Sequence, residues 1–275
     1  MPIKHEKLEK IATQTRIKTL DLCVSGGGHL ASAFSCVDIL VALYCGGIMR
    51  IDFVNPKGDD RDRFILSKGH AASALYVILS AAGFFPEAEL ADYGKGLCKL
   101  GAHPDKDVSG IEATTGSLGH GLGIACGISL AAKMDSKDYK SFVLLGDGEC
   151  SEGQIWEAAL FASRHKLDNL IGIVDRNRLC VTDFTEDCIC LDPLSDKWES
   201  FGWDVCEING HSFDELIKAL SEAKNKKNGK PKMIIAGTVK GKGVSFIENN
   251  PIWHTKIPFG KQIDAARKEL DSKIA

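Results

Sequence analysis

No two of the chain's ten cysteines are spaced as CxxC, and only Cys188 and Cys190 stand close together. That absence argues against a structural zinc site. Cys23, Cys36, Cys45, Cys98, Cys126, Cys150, Cys180 and Cys206 are scattered and sit mostly in apolar stretches, which argues against a disulfide framework. The expectation is small buried thiols in a reducing, cytoplasmic setting. An excess of one charge is missing too. A formal net charge of −3 gives no sign of nucleic-acid binding, and the lysines at 224, 226, 227 and 230 read as a solvated loop before Pro231. Long apolar runs are absent: Ala71 to Phe85 carries no charge but is too short to cross a bilayer, so a buried helix is expected there and no membrane partner. The N-terminus, with Lys4, Glu6, Lys7, Glu9 and Lys10, does not read as a signal peptide. Neither a GxGxxG fingerprint nor a Walker A string occurs, so hydride transfer and ATP hydrolysis are poorly supported.

What is present is an alternation of short apolar strands with helices. Hydrophobic residues make up 44% and charged residues 26%, as in ordinary globular proteins. Strands are predicted at Phe64–Leu66, Phe142–Leu145, Leu170–Val174, Asp204–Ile208 and Met233–Gly237, all short and buried. Helices are predicted over Leu8–Leu22, Val37–Tyr44, Ala71–Phe85, Leu118–Met134, Glu152–His165 and Ala265–Leu270. A further helix is marked by the capping pair Ser212 and Glu215 and the stripe Leu216, Ile217 and Leu220. This alternation predicts an α/β fold with a mostly parallel central sheet covered on both faces. With no repeat and no linker visible, residues 1–275 read as one domain. Residues 84–116 are irregular and glycine-rich, as functional surface often is.

The strongest chemical signal is Gly146-Asp147-Gly148, followed by Asn177. Each lies at the end of a predicted strand, and parallel strands end at a common edge. Asp147 and Asn177 can therefore offer two oxygen ligands to one hard cation, with the Leu179 carbonyl as a third. The flanking glycines would let a diphosphate come close to the backbone. Taken alone, Gly-Asp-Gly is also a common turn. Five histidines sit in loops beside small residues or proline: His29, His70, His103, His120 and His254. One such histidine would be unremarked, but five loops at one sheet edge converge on a crevice. Neutral imidazoles there suit a polyhydroxylated substrate, since each can donate to one oxygen and accept from another. His5 and His165 have charged helical neighbours, and His211 reads as a turn residue. Thr114 to Gly119 leads into a small-residue helix whose start could receive a phosphate or a planar ring.

Taken together, SGGGH at 25–29, FILSKGHAASALY at 64–76, GAHPD at 101–105, IEATTGSLGHGLG at 111–123, LGDGECSEGQIWEA at 145–158, DRN at 175–177 and KGKGVSFIENNPIWH at 240–254 resemble the N-terminal half of a transketolase. The match runs from about Arg16 to Pro258 and is nearest to the split enzymes, in which two polypeptides share the work. The resemblance implies a thiamine-diphosphate-binding fold. It assigns Mg2+, with Ca2+ or Mn2+ as substitutes, to Asp147, Asn177 and the Leu179 carbonyl. It assigns thiamine diphosphate to Gly148, Asn177, His70, His254 and the Gly116-Ser117-Leu118 backbone. It places His29, His70, His103 and His254 along the catalytic channel, with His29, His103 and His254 on the substrate. Glu152 corresponds to a family glutamate at the subunit interface near the cofactor.

The resemblance also implies the reaction, transfer of a two-carbon ketol unit from a ketose or its phosphate to an aldose or its phosphate. The glutamate that activates the cofactor lies in the family's pyrimidine-binding domain, and no such domain is recognisable after Trp253-His254. A C-terminal partner subunit is therefore expected to carry it, in a two-fold heterotetramer. Three departures stand out: Arg176 before the metal-binding asparagine, Asp183 where a glycine is usual, and Leu30-Ala31-Ser32 where Pro-Gly-Ala is usual. Three alternatives stay open: one like deoxyxylulose-phosphate synthase, one like the alpha chain of a 2-oxoacid dehydrogenase, and a non-catalytic regulatory module.

Overall fold

The computed structural model describes residues 5–181 and 183–274. Five strands, β1 (Arg63–Leu66), β2 (Ser141–Gly146), β3 (Leu170–Arg176), β4 (Asp204–Asn209) and β5 (Lys232–Gly237), form one parallel sheet in the order β1-β2-β3-β5-β4. Ten helices surround it among the described residues: α1 (His5–Gly26), α2 (Leu30–Ser35), α3 (Val37–Cys45), α4 (Ala72–Ala81), α5 (His120–Met134), α6 (Gly153–Arg164), α7 (Thr185–Cys188), α8 (Leu194–Ser200), α9 (Phe213–Asn225) and α10 (Lys261–Asp271).

The near-continuous apolar strands follow from burial on both faces, because successive side chains point to opposite sides. Phe64, Leu66, Phe142, Leu144, Ile171, Ile173 and Ile234 face a core built with α1, α3, α4 and α9. Ile65, Val143, Leu145, Leu170, Val174, Met233 and Ile235 face the other core, built with α5, α6 and α8. A third cluster joins α1, α2 and α10 through Leu20, Leu30, Phe34, Ala266 and Leu270. No helix among the described residues is long and apolar enough to cross a membrane.

The predicted helices and strands are all present, and the differences are local. The expectation of a buried β4 fails: Cys206, Glu207 and Asn209 are exposed on this edge strand, which pairs with β5 alone, whereas β1 at the other edge is largely buried. The uncharged stretch from Ala71 ends its helix at Ala81, and Phe84 and Phe85 pack into the core from the following turn. Helix α2 is absent from the sequence reading, since six residues give too little periodicity to read. Lys224 is no solvated-loop residue: it stands in the last turn of α9 and its Nζ, 2.9 Å from Asp62 Oδ2, ties that helix to the base of β1. The capping pair does form, with Glu215 N donating to Ser212 Oγ at 3.4 Å and Asn209 N to Glu215 Oε2 at 2.8 Å.

His211 is more than a turn residue. Its Nδ1 lies 2.6 Å from Asp38 Oδ2, and its Nε2 accepts from Val239 N at 2.9 Å. Asp38 also takes both Arg16 guanidinium nitrogens, at 3.0 and 2.7 Å. Burial alone would raise the Asp38 carboxyl, but Arg16 and His211 overcome it and hold the pKa down at about 2. One buried network thus joins α1, α3 and the loop after β4.

Candidate active site

Parallel strands deliver their loops to one edge, and the predicted residues arrive there in order. His70 follows β1, Asp147 directly follows β2, Asn177 directly follows β3, and Lys240 and His254 follow β5. Between them lies a cavity of about 300 Å³ lined by Ser32, His70, Asp147, Asn177, Leu179 and Lys240, with Leu118, Gly148, Glu152 and His254 also on its wall.

Asp147 is buried, with Oδ1 accepting from Gly148 N at 2.8 Å and Oδ2 from Arg178 N at 2.5 Å. Burial and the neighbouring Asp175 charge raise its pKa to about 6, against the pull of those two N–H groups and of Arg176. Arg176 fills its unusual place with ion pairs: Nη1 is 3.4 Å from Asp147 Oδ2, and Nη2 is 2.7 Å from Glu186 and 3.0 Å from Asp192. Asn177 Oδ1 accepts from Leu179 N at 3.2 Å. The Leu179 carbonyl accepts from Lys240 Nζ at 3.2 Å.

Whether a divalent cation and a diphosphate suit these residues can be judged from the donors. Among the described residues no cluster of three or more His, Cys, Asp or Glu side chains could hold a metal. The candidate set is one carboxylate, one amide and one backbone carbonyl, all hard oxygen donors. A magnesium ion held this way keeps open coordination positions for phosphate oxygens and water. Two buried polar atoms beside the cavity, His29 Nδ1 and Ser32 Oγ, have no hydrogen-bond partner among the described residues. Lys240 and Lys68 bring positive charge to the same wall. The residues fit the group.

Four of the five loop histidines come together. Ring centroids of His29 lie 5.4 Å from His70, 5.3 Å from His254 and 6.2 Å from His103, and His70 lies 5.8 Å from His254. His120 does not join them: it starts α5, is exposed, and bonds Ser117 O and Gln154 instead. Burial, assisted by the positive charges of Lys68 and Lys240, lowers the pKa of His29, His70 and His254, the last to about 3. All three are neutral at pH 7. Lys240 Nζ sits 2.8 Å from His254 Nδ1, which makes that nitrogen the acceptor and leaves Nε2 to carry the proton.

Close backbone approach builds this crevice. A Cβ on Gly116, whose φ is +138°, would fall 2.8 Å from the His103 ring. One on Gly69 would fall 2.8 Å from Gly116 N, so only glycine lets the His70 loop touch the segment leading into α5. Gly116 and Leu118 are half-buried beside it, and Ser117 is exposed. Glu152 caps α6, exposed, and its Cβ stands under Gly119.

Several residues escaped the sequence reading. Glu149 is buried and accepts from Gly119 N at 2.7 Å and Gly146 N at 2.9 Å, with Ser67 Oγ as a third donor. It staples three loops of the site. Lys68 forms a buried ion pair with Asp175, and Lys240 joins the Leu179 carbonyl to His254. The signal was available in SKGH and GDGE, but a charge in a loop reads as solvated until its partner is seen.

A family description, "Transketolase, thiamine diphosphate binding domain", matches residues 8–273. The chain is 42% identical over 270 residues to one of the subunits of an apulose-4-phosphate transketolase from Phocaeicola vulgatus, covering 98% of this chain and 95% of that one. It is 42% identical over 251 residues to one of the subunits of a 6-deoxy-6-sulfo-D-fructose transketolase from a Clostridium species, covering 91% and 90%. The crystal structure of transketolase from Campylobacter jejuni superposes with a TM-score of 0.90 at 30% identity, over 98% of this chain and 43% of that one.

Proposed function

The chain belongs to the transketolase family, as its thiamine diphosphate-binding domain, and from that membership and the geometry above we propose that it is the N-terminal subunit of a split transketolase. One domain spans the chain. The reaction is transfer of a two-carbon ketol unit from a ketose donor to an aldose acceptor. Bound in the cavity, thiamine diphosphate would supply the carbon nucleophile and electron sink that cleavage beside a ketose carbonyl requires. Asp147, Asn177 and the Leu179 carbonyl would hold Mg2+ and through it the diphosphate, the carbonyl using the lone pair that Lys240 leaves free. His70, His254, Gly148 and the Gly116–Leu118 backbone would seat the cofactor.

His29, His103 and His254 then face the substrate. With His254 Nδ1 accepting from Lys240, its Nε2–H can donate to a sugar hydroxyl, and neutral His29 can donate from one ring nitrogen and accept at the other. The observation that carries this reading is that four imidazoles crowd one crevice beside a buried carboxylate–amide pair.

A second subunit, carrying the pyrimidine-binding domain and its activating glutamate, completes the site, in a two-fold heterotetramer with Glu152 near the boundary. The names of the related subunits point to ketoses bearing a phosphate or a sulfonate. Calorimetric titration of the reconstituted pair with thiamine diphosphate tests the cofactor site: heat that requires Mg2+ and disappears on chelation or in Asp147→Ala is expected. A flat titration of the unmodified pair refutes it. Assays on a panel of ketose phosphates and sulfosugars, with pyruvate as the control for the oxoacid readings, then assign the donor.

A further inference from the structure

We propose that Cys180 and Cys188 are a disulfide-forming pair that locks the mouth of the cofactor cavity; the identity of what is locked in rests on the reading above. Their sulfurs stand 3.0 Å apart. A disulfide requires about 2.05 Å, so the two sulfurs stand about 1 Å from bonding distance.

The fold holds the two thiols in register from both sides. Leu179 and Phe184 form an antiparallel bridge, Cys180 N donates to Asp183 O at 2.9 Å, and Thr185 N to Arg178 O at 2.9 Å. Arg176 anchors α7 from beneath, donating to Thr185 Oγ1 at 2.8 Å and pairing with Glu186. Cys188, the last residue of α7, is exposed and within reach of an oxidant. Cys23, Cys36, Cys126 and Cys150, by contrast, are buried. The expectation of buried thiols fails at Cys206 on β4 and again here, at Cys188 and Cys190, and this second location matters.

That location is the cavity. Cys180 and Cys188 both line it, with Val181 and Ile189. Cys180 directly follows Leu179, its carbonyl accepts from Lys240 Nζ at 3.0 Å, and a Cβ on Gly148 would meet the Cys180 Cβ at 3.3 Å. The pair therefore ties the candidate metal loop to α7 across the opening. With the thiols reduced, only the backbone bridge and the Arg176 contacts resist parting of the two arms as a diphosphate passes; the bond adds a covalent tie.

The reaction is thiol–disulfide exchange with a low-molecular-weight disulfide. The Cys188 sulfur attacks one sulfur of the oxidant and releases one small thiol, which takes the proton. Cys180 then attacks the Cys188 sulfur of the mixed disulfide and releases the second small thiol with the second proton. Two cysteine sulfurs are each oxidised by one electron, and the small disulfide is reduced to two thiols.

The full chain treated with oxidised glutathione, alkylated and cut by a protease that cleaves after Glu186, is expected to yield Cys180 and Cys188 fragments joined by a reducible bond. Cys188→Ser should abolish the link and Cys190→Ser should leave it. A link between Cys188 and Cys190 instead, or glutathione remaining as a stable adduct, overturns the pair. Exchange of labelled thiamine diphosphate on the reconstituted pair with Mg2+ is expected to slow at least about tenfold on oxidation, recover on reduction, and ignore oxidation in Cys188→Ser. Equal exchange rates, or no cofactor bound by the reduced pair, overturn the lock. The fragment map depends on no cofactor, so loss of the cofactor reading leaves a mapped bond standing and is told apart from failure of the pair.

Discussion

Replacing Lys68 with Met asks whether the floor of the site is held by a buried charge. The Lys68 stem runs under the cavity, and its ammonium donates to Ser32 O at 3.0 Å and Ser35 Oγ at 3.4 Å while pairing with Asp175. Burial alone would raise the Asp175 carboxyl, but Lys68 and three hydrogen bonds hold it below its ordinary value, so it is ionised. Met keeps the stem's volume and removes the charge. Asp175 is then left with the Ser35 hydroxyl at 2.6 Å, the Thr238 hydroxyl and Asn177 Nδ2 at 3.3 Å. Breaking one side of a buried pair costs about 3–5 kcal/mol, and those three donors place the loss near the lower end, at about 3 kcal/mol. Urea denaturation reads it directly. Lys68→Met with Asp175→Asn should regain about half of the loss, because no uncompensated charge remains. The ring titrations of His29, His70 and His254, followed by NMR, should also move to higher pH, since Lys68 is one of the charges that lowers each. A single variant within about 1 kcal/mol of the parent, or a double variant no better than the single, refutes the argument.

Other outcomes follow from the same geometry. His254 titrates at about 3 when folded and near its ordinary 6.5 when unfolded. Between those values the unfolded chain binds the extra proton, so stability falls as pH drops below about 6.5; denaturation at pH 7 and pH 5 should show a smaller fall in His254→Asn than in the parent, and equal slopes would contradict the assignment. Gly69→Ala should push the Gly116–Leu118 backbone away from the His70 loop and weaken thiamine diphosphate binding by at least about tenfold, or 1.4 kcal/mol, measured calorimetrically on the reconstituted pair; unchanged affinity would show that this contact does not shape the cavity. Asp147→Asn keeps the side chain's size and one oxygen donor but loses the charge, so Mg2+ dependence of the cofactor heat should shift to higher Mg2+ concentration, whereas an unshifted curve would remove Asp147 from the metal set.

By itself the sequence determined the strands, the two-faced sheet and the places where Asp147, Asn177 and the loop histidines stand. These are local matters: runs such as FVLL and LIGIV have no polar face, so they must be covered on both sides, and a parallel sheet then carries its loops to a single edge. Only the tertiary structure decided which side chains meet there. His120 has the same Gly-His setting as His29 and His70, yet it starts α5 and points to Gln154. Lys68, Glu149 and Lys240 look like solvated charges in sequence and become buried fastenings because their partners arrive from far along the chain, as Ser35 and Asp175 do from 140 residues apart. Exposure of β4 depends on strand order, and the approach of Cys180 to Cys188 on a bridge and a short helix. Periodicity reports which faces a segment must bury; it holds no information on which distant segment will bury them, and that choice is made by packing.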